Sequence, residues 1–69
     1  MMMDRSALIA RKEEVRRQLQ RAQADLAQLE NAADPKRNRR RIAQLQQQIE
    51  WLMAEEYNLR LAIDRTLRS

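Results

Sequence analysis

The chain has neither cysteine nor histidine, which removes the thiol nucleophile, the usual general base and the commonest transition-metal ligands. Without cysteine there is no disulfide framework to hold a small fold together. Without glycine there is no phosphate-cradling loop. The aliphatic hydroxyls, Ser6, Thr66 and Ser69, sit near the two ends with no base to activate them. Glu13 and Glu14, like Glu55 and Glu56, are sequence neighbours. Neighbours on a helix diverge by ~100°, so neither pair converges on a common substrate. These absences predict no catalytic residue, no metal site, no cofactor and no small-molecule substrate.

Other scarcities bear on architecture. Pro35 is the single proline and Trp51 and Tyr57 are the only aromatic residues. Charged residues make up 35% of the chain, and no apolar run approaches the ~20 residues of a transmembrane helix. Met1 to Met3 lead straight into Asp4 and Arg5, which is not the pattern of a secretory signal, so a cytoplasmic protein is expected.

What remains is the composition of long helices: alanine, leucine, arginine, glutamine and glutamate dominate a chain of 69 residues, enough for one small domain. The first helix is expected over about 4–32, with Asp4 accepting from free backbone N–H groups at its start. Its apolar residues fall at Leu8, Val15, Leu19, Ala22, Leu26 and Leu29, and counting Lys12 completes an alternation of four and three. On its solvent face Glu13 and Glu14 both precede Arg17 at favourable spacing. Asp34-Pro35 then suits a helix N-cap followed by a first helical residue. A turn at about 33–35 and a second helix over about 35–67 follow. That helix repeats the alternation at Ile42, Leu45, Ile49, Leu52, Glu56, Leu59 and Ile63.

A short connection makes the two helices antiparallel neighbours. Pairing them across the turn sets Leu26 against Ile42, Ala22 against Leu45, Leu19 against Ile49, Val15 against Leu52 and Leu8 against Leu59, each pair of numbers summing to 67 or 68. The same rule brings together the two polar interruptions, Lys12 and Glu56, which carry opposite charge. They read as a register pair, because a slipped hairpin would set one charge against apolar partners; the plainer alternative is that both extend to water from the edge of a thin seam. The fold class is therefore all-α, a two-helix antiparallel coiled-coil hairpin. So small a seam, with no disulfide or metal to reinforce it, calls for a partner. Pairing of two hairpins into a four-helix bundle, a homodimer, is the expectation.

Two surfaces are candidates for contact. On the back of the second helix Tyr57, Leu61 and Ala54 point away from the seam, with Trp51 to one side and Met53 to the other. Ile9 lies off the seam of the first helix near the same open end. Scattered surface apolar residues are common, but the pairing of the only two aromatics favours an interface. The other surface is electrostatic. The net charge of +4 comes from residues 36–41, where Lys36, Arg37, Arg39, Arg40 and Arg41 contribute +5. Cations at the start of a helix oppose its dipole, and Arg37 with Arg41 adds like-charge repulsion. The block suits phosphates of a nucleic acid, or an acidic protein or lipid surface, or simply solvation. No aromatic residue is interleaved to stack bases.

The chain thus reads as a non-enzymatic protein–protein interaction module, such as a small adaptor, co-chaperone, assembly factor or inhibitor, working through an apolar face at its open end. The alternative is a small nucleic-acid-binding regulator that uses the basic block. A third reading, a fragment of a longer coiled coil, sits poorly with the self-contained register.

Overall fold

The computed structural model describes every residue except Met1, Met2, Met3, Ala33, Pro35 and Ser69, and for Arg68 only the backbone. Two helices pack side by side along their length, α1 (Arg5–Glu30) and α2 (Arg39–Arg68). The result is a rod of 52 × 19 × 14 Å. No helix is long and apolar enough to cross a membrane among the described residues.

The start of α1 follows from Asp4. Its backbone is extended, and its carboxylate accepts the Ala7 N–H at 2.7 Å while its carbonyl accepts the Leu8 N–H at 3.1 Å. The first satisfies one of the amide groups a helix leaves free at its N-terminus, and the second is the first regular helical bond. At the other end the Asn31 N–H bonds to the Ala27 carbonyl and the Ala32 N–H to the Leu29 carbonyl, closing the helix by tightening its last turn.

The second helix opens later than 35. Two tight turns intervene, in which the Arg37 N–H bonds to the Asp34 carbonyl and the Arg39 N–H to the Lys36 carbonyl. The first helical bond runs from Ile42 N–H to the carbonyl of Asn38 at 2.9 Å. Asn38, not Asp34, therefore stands where the helix is capped, and Pro35 lies outside the described residues. The two turn bonds take up the Arg37 and Arg39 N–H groups, so regular helical bonding begins only from Asn38, a residue type suited to that position. The dipole does not favour this start, since it sets Arg39, Arg40 and Arg41 in the first turn.

The core is narrow. Leu8, Val15 and Ala22 on α1 and Leu45 and Leu52 on α2 are the buried apolar residues, with Leu19, Leu26, Leu29, Ile49 and Leu59 partly buried around them. The two halves of the heptad are not equivalent. Residues at seven-residue intervals from Leu8 face those at seven-residue intervals from Leu45, and this row forms the centre of the interface. Residues four further on, Leu19, Leu26, Ile42, Ile49 and Ile63, are only half-buried. Two helices alone can close over one row of side chains. Covering a second row needs something on the outside.

Candidate functional site

On each helix the positions four and three after the buried row lie about 50° to either side of it. Because the helices are antiparallel, like positions fall on the same side of the rod, which gives it two unlike flanks.

The first flank is polar and fixes register. Arg11 donates to Glu55 through both Nη2 at 2.7 Å and Nε at 2.9 Å, the ion pair that bridges the two helices among the described residues. Gln18 and Gln48, and then Asp25 and Arg41, follow in the same alignment and line one groove of about 450 Å³ with Arg21. The numbers of each of these three pairs sum to 66. Charges alternate along this ladder, cation on α1 at one level and on α2 at another, so a slip of the helices would set unlike partners apart. On the outer face of α1 a local pair sits beside the ladder: Arg17 donates to Glu14 at 2.9 Å and Gln18 to its other oxygen at 3.1 Å. These hydrogen bonds, that from Arg17 first, hold the Glu14 carboxyl below its ordinary value.

The second flank is apolar. Leu19, Leu26, Ile42, Ile49 and Ile63 run along it, and Lys12 and Glu56 interrupt it, all half-buried. Met53 and Tyr57 meet Leu19 and Gln23 across a groove of about 290 Å³ that Glu56 and Arg60 complete.

Lys12 and Glu56, the expected register pair, form no ion pair among the described residues; the cross-helix pair is Arg11–Glu55, one position earlier on each helix. Lys12 and Glu56 fall in the half-buried row, where a long side chain can reach water over the edge, so nothing forces them together. Arg11 and Glu55 lie on the opposite flank, where guanidinium and carboxylate meet outside the apolar strip. Exchanging them should show this: Arg11→Glu or Glu55→Arg alone should lower stability by roughly 0.2–1 kcal/mol, the usual worth of an exposed pair, and the double exchange should restore it. The same exchange at Lys12 and Glu56 in the isolated hairpin should show no coupling. Thermal unfolding of the six variants at low concentration checks both statements.

The exposed apolar residues wrap around α2 and do not make one flat patch. Met53 and Tyr57 belong to the groove beside the apolar flank. Ile9 stands one residue after Leu8, as Met53 does after Leu52, and so borders the same flank. Leu61 lies on the back of α2, and Trp51, 71% exposed, lies beyond the polar flank with Gln44, Gln47 and Gln48.

Lys36, Arg37, Arg39, Arg40 and Arg41 are all exposed at the turn end of the rod. None is in an ion pair among the described residues, and the first turn of α2 holds no acidic residue. Arg41 also lines the polar groove opposite Asp25.

Sequence reasoning passed over the ladder Arg11–Glu55, Gln18–Gln48 and Asp25–Arg41. The signal was present, since the pairing rule that aligned the apolar residues aligns these when applied one position earlier. Set against known proteins, the chain matches no family model, no curated protein and no solved structure.

Proposed function

We propose that this chain is a non-enzymatic interaction module that joins a second copy of itself through the apolar flank, making a four-helix bundle. The observation that carries the reading is the unlikeness of the two flanks: one is closed by a polar ladder, while the other leaves five aliphatic side chains half covered. A face of that kind on so small a core gains stability by being covered.

The charges on the flank argue for the occupant. A foreign apolar surface would have to bury Lys12 and Glu56 unpaired, at considerable cost. A second copy supplies their partners. With a twofold axis along the rod, α1 of one copy lies over α2 of the other at equal height, and all neighbouring helices remain antiparallel. Lys12 of each copy then stands against Glu56 of the other. The axis also brings both basic turns to one end, a repulsion that screening at physiological ionic strength reduces.

Mixing charge-altered copies tests the arrangement. Lys12→Glu chains set like charges against each other when paired among themselves, and so do Glu56→Lys chains. Together they form two opposite-charge pairs. Sedimentation should show a concentration-dependent dimer for the wild type, weakened association of each variant alone, and preferential heterodimers in the mixture. A wild type that stays monomeric into the millimolar range, or a mixture that pairs at random, would overturn the reading.

A further inference from the structure

We propose that the basic tip formed by Lys36, Arg37, Arg39, Arg40 and Arg41 is a sequence-independent binding site for the phosphate backbone of a nucleic acid, double-stranded by preference. It rests on observations separate from the apolar flank.

The fold ties down none of the tip's cations by an ion pair among the described residues, and of the five Arg41 alone lines the polar groove opposite Asp25. The five cations are exposed, and no carboxylate stands in the first turn of α2 to offset them. They occupy the end of a helix where the dipole is least favourable to positive charge, and they repel one another. The bonds that close the turn run between backbone groups, Arg37 N–H to the Asp34 carbonyl and Arg39 N–H to the Lys36 carbonyl, so the cationic side chains are not what closes it.

Their layout suits a dense, ridged polyanion. Arg39, Arg40 and Arg41 follow one another at ~100° steps, so their side chains fan out around the axis of α2, and helix geometry tilts them toward its N-terminal end. Lys36 and Arg37 add two more cations from the turn. The rod is only 19 × 14 Å in section. Duplex DNA carries one negative charge per ~1.7 Å of its axis, so about ten phosphates lie within a tip's width, enough to pair every cation. Four of the five are arginine, whose planar fork takes two phosphate oxygens at once.

A lipid surface fits less well. The exposed large apolar residues are Ile9, Trp51, Met53, Tyr57, Leu61 and Leu67, and those on α2 begin ten residues beyond Arg41, about 15 Å along the helix. None is at the tip to enter a bilayer among the described residues. The lack of an aromatic residue in the block removes base stacking and leaves the backbone as the target, hence the absence of sequence preference.

Binding of fluorescently labelled 20-base-pair duplexes of two unrelated sequences tests the site on the full chain. The wild type should bind both with equal affinity, and log K should fall with log salt at a slope of roughly −4.5, about −0.9 for each phosphate neutralised. Arg39→Gln with Arg40→Gln and Arg41→Gln should weaken binding tenfold or more and flatten that slope by between two and three. Lys36→Gln with Arg37→Gln lies ahead of α2, cannot disturb the helix, and should flatten it by nearly two. Anionic phosphatidylserine vesicles should bind more weakly than either duplex under the same conditions. The proposal is overturned by absence of duplex binding at 50 mM salt, by unchanged affinity in both variants, or by tighter binding to the vesicles. Sedimentation of the same samples reports self-association separately, so either reading can fail without the other.

Discussion

Leu45→Ala is expected to unfold the hairpin. Leu45 is 1% exposed and sits in the central row at the level of Ala22, so it supplies most of the side-chain volume in that layer. Its truncation leaves alanine against alanine, while the neighbouring levels, Leu19 with Ile49 and Leu26 with Ile42, keep the helices from closing onto the gap. Leucine-to-alanine changes at buried sites cost about 2–5 kcal/mol, part of it for the cavity that remains. A domain this small has a total stability of similar size, so the loss is decisive. Helical circular dichroism should collapse at concentrations where the wild type is folded. Gln46→Ala, one residue away and exposed, should leave it unchanged. A Leu45→Ala protein that melts within a few degrees of the wild type would mean that the central row does not hold the helices together.

Leu19→Ser with Ile49→Ser is expected to abolish self-association. Both residues are half-buried in the isolated hairpin and lie at one level of the apolar flank. A second copy would complete their burial, four side chains in all, each worth about half of the ~1.5–3 kcal/mol of a fully buried aliphatic group. The sum, roughly 4 kcal/mol, corresponds to about a thousandfold in dimer affinity. The same change loosens the hairpin itself, because both residues also pack on the core. The control is therefore Trp51→Ser with Leu61→Ser, which removes large exposed residues from elsewhere on α2 without touching the flank. Sedimentation should show a dimer for this control and none for the flank variant. The reverse result would move the interface to the exposed surface of α2 that carries Trp51 and Leu61.

Much of the architecture was legible in the residues because helical periodicity is local. The alternation of four and three places Leu8, Val15, Ala22, Leu45 and Leu52 on inward faces wherever the helices lie, and the turn near Pro35 leaves an antiparallel pairing as the short connection. The numbers summing to 67 or 68 then follow from one fixed point, the turn. The start of α2 was less legible: Asp34-Pro35 is a strong local signal, yet two tight turns, closed by the Asp34 and Lys36 carbonyls, follow it and defer the helix to Arg39.

The sequence by itself thus determined two helices, their antiparallel sense, their apolar faces and the concentration of charge at the turn, all properties of neighbours three or four residues apart. Only the tertiary structure decided which heptad row is buried. A pattern of apolar positions is symmetric about the seam, whereas two packed helices must rotate to bring one row to the centre, and here the row of Val15 and Leu45 took it. That rotation left Leu19, Leu26, Ile42, Ile49 and Ile63 on an open flank and placed Lys12 and Glu56 among them. It also carried Arg11 and Glu55 to the opposite flank within hydrogen-bonding reach. Rotation about a helix axis is a collective result of packing across the whole interface, so no local spacing encodes it.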